Sequence, residues 1–175
     1  LRRRRFGPEV DDPITVAAMA PPSGIGVIDT MIGFPDKDFA VYDFIRNQLK
    51  DGESTDFEFP VEYLFKNVPK ELYGSDADPI EVTLGEMDRF GIEYGLIGCE
   101  GEQSQRALTE HADRFIPQAH VDPNDVMGEV RKIRRLKDEW DIKAVGTFPV
   151  GCTPQVPIDS PLYYPIYSTC CELDI

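Results

Sequence analysis

The sequence predicts an α/β fold with a parallel sheet, formed by successive strand–helix units. Residues 26–31 are predicted to form a buried strand that ends in a polar turn containing Gly33 and Pro35, as expected for the first strand of a parallel α/β fold. From residue 78 onward, helical and strand-like periodicities alternate and are joined by short turns. No glycine-rich phosphate loop follows the first strand, which disfavours a dinucleotide-binding sheet.

The first helix of this alternation has a well-marked start and end. Asp78 is a capping residue, Pro79 suits the first helical position, Glu81 completes a capping box and Gly91 ends the helix. We expect further strands at residues 94–99, 115–121 and 142–148, and helices at residues 104–111, from 124 or 125, and from 160. One face of the helix that begins near 125 is apolar, with Met127, Val130, Ile133 and Leu136. Four strand–helix units correspond to half of a (β/α)₈ barrel, which is the fold class that we predict.

The domain organisation follows from composition along the chain. Residues 1–23 are charged and then rich in proline and alanine, which predicts a flexible N-terminal arm. Residues 24–175 form the predicted half-barrel, a length that suits one domain. Residues 34–78 form a long loop with helices expected at 39–49 and 61–65, and such insertions are usually functional. We expect the chain to continue after Ile175 with the later strands of the barrel.

Charge and cysteine content exclude several classes of partner. The net charge is −14, and because four arginines at residues 2–5 contribute +4, the remainder carries −18. This charge repels phosphates, so we expect no nucleic-acid partner and no anionic membrane partner for the body of the chain. The arginine run itself is expected to be a solvated terminal segment or a translation-start artefact, the alternative being a nucleic-acid or targeting patch. No apolar run of 18 residues is present, so no transmembrane helix is predicted. The four cysteines show neither metal-ligand spacing nor a disulfide framework, which indicates a reduced, cytoplasmic protein.

Candidate site residues lie where the predicted strands end. Catalytic residues of barrels lie at the carboxyl ends of the strands. Asp29 there could act as a metal ligand or general base, or cap the following turn through its side chain. Gln118 and His120 alternate at the end of the third strand and so share one side. We assign His120 to acid–base catalysis and Gln118 to substrate binding, the alternative for His120 being a core histidine bonded to a backbone carbonyl. Glu100 follows the second strand and is an acid–base candidate, or else a solvated loop carboxylate.

Two further residues are substrate-binding candidates. Lys66 lies in the long loop among aromatic residues, where it could receive a substrate carboxylate or simply form part of a surface lid. Phe148 ends the fourth predicted strand. No histidine–aspartate pair that could activate Cys99 is recognisable in the sequence, so we expect a buried thiol rather than a nucleophile.

The first strand and three later segments resemble the amidohydrolase-related family (amidohydrolase family 2). The segments are residues 86–93, 111–124 and 161–167. In this family the first strand usually carries an Asp-x-His-x-His pattern. Asp29 matches that pattern, whereas Met31 and Gly33 stand at the two histidine positions, and Gly146 stands where many members have lysine. The resemblance implies a (β/α)₈ barrel with its site at the carboxyl ends of the strands.

The same resemblance implies an enzyme that hydrolyses or decarboxylates a small organic acid, often aromatic or unsaturated. The metal it implies is zinc, held in the complete protein by Asp29 with ligands from later strands. Zinc takes imidazole, thiolate or carboxylate ligands, so Met31 and Gly33 leave the first-strand motif degenerate. The alternative is a non-catalytic barrel homologue that acts as a subunit or scaffold. Because a half-barrel has open sheet edges, we also expect a homo-oligomer.

Overall fold

The computed structural model describes residues 24–34, 52–55 and 77–175. One sheet contains four strands: β1 (Val27–Asp29), β2 (Ile92–Gly98), β3 (Phe115–Val121) and β4 (Ala144–Thr147). The strands lie in the order β1-β2-β3-β4, and each pairs in parallel with the next. A doubly wound sheet would reverse its strand order at one point, and the described strands do not. The predicted α/β class with a parallel sheet is therefore confirmed.

From residue 78 onward helices alternate with these strands, as predicted, whereas the short helix at residues 52–55 was not predicted. The helices are α1 (Gly52–Thr55), α2 (Pro79–Phe90), α3 (Glu102–Glu110), α4 (Val126–Trp140) and α5 (Tyr164–Leu173). Short 3₁₀ turns lie at Pro123–Asp125, Pro149–Gly151 and Pro161–Tyr163. None of the helices that the structure describes is long and apolar enough to cross a membrane. The helices expected at 39–49 and 61–65, the arm at 1–23 and Lys66 all lie outside the described residues.

The ends of α2 and α4 are fixed by local side-chain caps. The Asp78 carboxylate accepts a hydrogen bond from the backbone N–H of Ile80 at 3.0 Å, and Gly91 ends α2 in the left-handed conformation with φ 67°. Asp125 accepts from the N–H of Gly128 at 3.0 Å and so starts α4. These contacts explain why the sequence predicted the helices well.

The core lies between one face of the sheet and the helices. On the side of β2 and β3 that faces the helices, Gly95, Ile97, Phe115, Ala119 and Val121 are buried. On the opposite face Gln118 is buried, His120 is exposed and the other residues are half-buried. The buried apolar residues of the core include Ile80, Met87, Ile97, Phe115, Ala119, Val121, Ile133, Leu136, Tyr163 and Ile166. On the predicted apolar face of α4, Ile133 and Leu136 are buried, but Met127 is 58% exposed. Met127 therefore does not belong to the core.

Candidate functional site

A cavity of 430 Å³ lies at the carboxyl ends of β2, β3 and β4, and we call it the strand-end cavity. Its lining consists of Glu100, His120, Val121, Asp122, Glu129, Lys132, Phe148, Gly151 and Cys152. Three predicted site residues, Glu100, His120 and Phe148, come from the ends of three successive strands and meet here. The carboxyl ends of parallel strands are where α/β proteins place their sites.

His120 occupies a space that two glycines leave open. It is exposed, and in the β3–β4 register it lies opposite Gly146. A Cβ atom at Gly146 would lie 3.2 Å from Nδ1 and 3.3 Å from Cε1 of His120. A Cβ atom at Gly98, on β2, would lie 3.5 Å from Cδ2 of the same ring. The absence of side chains at both positions therefore makes room for the imidazole on the face of the sheet away from the core helices.

Gln118 lies on the same face as His120, two residues earlier in β3. It is only 5% exposed, and its Nε2 donates a hydrogen bond to the backbone carbonyl of Leu96 at 3.2 Å. Gln118 is absent from the cavity lining. In this structure it links β2 to β3 below His120.

A lysine and two glutamates form the charged wall of the strand-end cavity. The Nζ atom of Lys132 lies 2.7 Å from Oε2 of Glu129 and 3.8 Å from Oε2 of Glu100. The Glu129 side chain is 14% exposed and Lys132 is 21% exposed, whereas Glu100 is 55% exposed. Glu129 and Lys132 are neighbours on α4 at i and i+3, a spacing that brings side chains together. Neither residue was predicted from the sequence to be part of the site.

The Oε2 atom of Glu129 is buried and accepts no hydrogen bond from the described residues. The Lys132 ammonium, 2.7 Å from this oxygen, is its charged partner and compensates the charge of Glu129.

Two other groups line the cavity but are already engaged. One carboxylate oxygen of Asp122 accepts from the backbone N–H of Asn124 at 3.0 Å and from its side-chain Nδ2 at 2.8 Å. Burial raises the pKa of the Cys152 thiol, and the neighbouring Asp122 carboxylate raises it further. Cys152 is therefore a protonated thiol at neutral pH and a poor nucleophile.

Cys99 also behaves as a buried thiol. It is 1% exposed, and its Sγ donates to the backbone carbonyl of Gln118 at 3.1 Å. Burial raises the pKa of this thiol above its ordinary value. The expected burial of Cys99 is confirmed, and all four cysteines of the chain are free.

The structure places Asp29 apart from the strand-end cavity. Its Oδ1 accepts a hydrogen bond from the backbone N–H of Met31 at 2.9 Å, which is the turn-capping arrangement. Asp29 pairs with Gly95, three residues before β2 ends, and β1 has an irregular register between Val27 and Ile28. Asp29 therefore ends its strand at a lower level of the sheet than Glu100 or His120.

The described residues do not fit a zinc site. Within residues 24–34, 52–55 and 77–175, no group of three or more histidine, cysteine, aspartate or glutamate side chains could hold a metal ion. Met31, at one family histidine position, is 89% exposed and offers only a thioether, and Gly33 offers no side chain.

A second cavity, of 560 Å³, lies where α2 and α3 begin. It is lined by Ala77, Asp78, Pro79, Glu102, Gln103 and Arg106. The Arg106 guanidinium is paired with Asp78 and lies 3.9 Å from Glu110. None of the predicted site residues lines it, and its Asp78–Arg106 ion pair is solvent-exposed, so the strand-end cavity is the better candidate.

No family model matches this chain, and no curated protein or solved structure matches it either. The resemblance to the amidohydrolase-related family therefore stays a prediction from the sequence.

Proposed function

We propose that this protein is an amidohydrolase-related enzyme that hydrolyses or decarboxylates a small organic acid, with the strand-end cavity as its active site. The proposal includes a (β/α)₈ barrel, of which β1 to β4 are the first strands. One observation carries it: Glu100, His120 and Phe148, each selected from the end of a different predicted strand, line a single cavity. Such convergence is expected of a barrel active site.

His120 is the proposed general acid–base. Hydrolysis requires activation of water and protonation of a leaving group, and decarboxylation requires protonation of a carbanion. An imidazole can exchange its proton near neutral pH and can therefore serve either reaction. Glu100 is the second acid–base candidate, and Phe148 supplies an apolar surface for an aromatic or unsaturated substrate. No step is assigned to zinc, because the described residues supply no ligand set for it.

A non-catalytic homologue that acts as a subunit or scaffold is the second candidate. The residues that favour it are Met31, Gly33 and Gly146, which stand where the family has histidines and a lysine. Assembly as a homo-oligomer belongs to both proposals.

The two histidines of the chain provide a matched experiment. Aromatic and unsaturated carboxylic acids and their amides are incubated with the protein, and products are followed by mass spectrometry. We expect His120→Gln to lower kcat/KM by about 10² to 10⁴, the usual contribution of a general acid–base. His111→Gln is the control, because His111 ends α3 and its Nε2 lies 3.8 Å from Glu81, outside the cavity lining.

The outcomes separate the two candidate functions. Equal activity of His120→Gln and the unmodified protein would remove His120 from the chemistry. No turnover of any compound by a folded protein would favour the scaffold.

A further inference from the structure

We propose that Thr147 is a positioning residue of the strand-end cavity, and that its hydroxyl fixes where His120 and Phe148 lie relative to each other. This inference rests on the proposed function, because it concerns two side chains of the same site. Thr147 itself lies outside the cavity lining and so acts through its neighbours.

The first observation is a pair of hydrogen bonds made by the Thr147 hydroxyl. Its Oγ1 donates to the backbone carbonyl of Val121 at 3.1 Å and lies 3.0 Å from the hydroxyl oxygen of Tyr163. A threonine hydroxyl has one proton to donate. Because that proton goes to Val121, Tyr163 is the donor in the second bond. One chain of hydrogen bonds therefore links the turn before α5 to the ends of β4 and β3.

The second observation is where this chain of hydrogen bonds lies in the sheet. Val121 and Thr147 are the last pair of the β3–β4 register. Val121 directly follows His120, and Thr147 directly precedes Phe148. The Thr147 hydroxyl therefore holds the two strands together at the point where their regular pairing ends, one residue away from each of the two site side chains.

The third observation is that Thr147 is anchored in the core. Tyr163 is fully buried, and its ring stacks on that of Tyr167 with centroids 5.6 Å apart and 12° between the ring planes. Close-packed interiors deform little, so Tyr163 is a fixed point for the hydroxyl. On the far side of Phe148, its backbone carbonyl accepts from the N–H of Gly151 at 2.8 Å. Phe148 is thus held from both sides.

Removal of the hydroxyl should move the end of β3. The carbonyl of Val121 and the buried hydroxyl of Tyr163 would each lose this partner, and buried polar groups without partners are costly. We expect the backbone at Val121 to shift until its carbonyl finds another donor. His120, one residue earlier in the chain, shifts with it.

The test compares variants by NMR of the His120 imidazole and the Phe148 ring. Thr147→Val keeps the branched shape of the side chain but removes both hydrogen bonds, whereas Thr147→Ser keeps the hydroxyl and removes only a methyl group. Thr83→Val is the matched control: Thr83 is 7% exposed, and its Oγ1 donates to the backbone carbonyl of Gly33 at 3.3 Å, outside the cavity lining.

We expect Thr147→Val to shift the ring signals of His120 and Phe148, and Thr147→Ser to restore those of the unmodified protein. Thr83→Val should lower the urea midpoint of unfolding, as Thr147→Val does, but leave both rings unchanged. Lower stability of Thr147→Val with unchanged ring signals would show a merely structural hydroxyl and overturn the inference. Equal ring shifts in Thr147→Val and Thr147→Ser would also contradict it, since the methyl group would then be responsible.

A second variant covers the case in which Thr147→Val does not fold. Tyr163→Phe removes the anchor of Thr147 and keeps the bond to Val121, so smaller shifts of the same two rings are expected, and unchanged rings would reject the inference. Because the rings are observed without turnover, displaced rings in a protein with no activity would uphold the positioning role of Thr147 while rejecting the proposed enzyme.

Discussion

Replacing Gly146 by alanine should displace His120 without altering its chemistry. The added Cβ atom would lie 3.2 Å from Nδ1 and 3.3 Å from Cε1 of the imidazole, closer than an ordinary contact. The ring must then move by a few tenths of an ångström to reach the usual separation of about 3.5–4.0 Å. It can move outward, because His120 is exposed, whereas Oε1 of Gln118 lies 3.5 Å from the new atom on the inner side.

The size of the effect follows from this geometry. A misplacement of about 1 Å at a reacting group can cost about 10²-fold in rate, so a shift of a few tenths should lower kcat by roughly tenfold or less. The folded state should lose no more than about 1 kcal/mol, the lower end of the range for overpacking, because the ring can relax into solvent. Gly98→Ala is the control: its Cβ would lie 3.5 Å from Cδ2, an ordinary contact, and kcat should stay within about twofold.

Two measurements check this prediction. Imidazole ¹³C and ¹⁵N signals report the position of the His120 ring whether or not a substrate is known, and steady-state kinetics report kcat once one is found. We expect the ring signals to shift clearly in Gly146→Ala and little in Gly98→Ala. Identical ring signals in the two variants would refute the argument that these glycines position His120 unequally.

Two other predictions concern stability. Hydrogen bonds from Lys137 and Lys143 lower the pKa of Asp141 to about 2. These contacts therefore stabilise the folded state fully above the unfolded pKa of about 3.9, and the stabilisation is lost as the pH falls towards 2. Asp141→Asn should flatten the dependence of the unfolding free energy on pH between about 4 and 2 in urea titrations, and an unchanged slope would contradict the ion pairs. Tyr163→Phe should cost about 1 kcal/mol in the same assay, because it removes a fully buried hydroxyl that lies 3.0 Å from the β4 threonine hydroxyl. Tyr167→Phe, which removes a hydroxyl from a 40% exposed side chain, is the control and should cost less.

The sequence predicted the ends of α2 and the whole of β3, but it overestimated the lengths of β1 and β4. Asp78 and Gly91 fix the ends of α2 through contacts with their own neighbours, so the information is local. The extent of β1 depends on its pairing with β2, and the irregular register after Val27 is not encoded in any short pattern. β1 therefore has three residues, where six were expected.

The candidate site was predictable to a similar degree. Glu100, His120 and Phe148 could be found because the ends of adjacent parallel strands meet at one edge. Asp29 did not join them, because its strand ends opposite Gly95. No sequence pattern marked Glu129 and Lys132 as site residues, since the polar face of a helix does not show which of its residues turn towards a cavity. That depends on the rotation of α4 against the sheet, which is set by the burial of Ile133 and Leu136.

The strand-end cavity has a consequence for folding kinetics. All of its lining residues fall within residues 100–152, between the end of β2 and the turn after β4. Contacts between segments close in sequence require little loop-closure entropy and form early on average. The wall of the cavity can thus assemble when β3, α4 and β4 dock, before β1 is added to the edge of the sheet. Mutations that loosen β1 should then speed unfolding more than they slow the formation of this site.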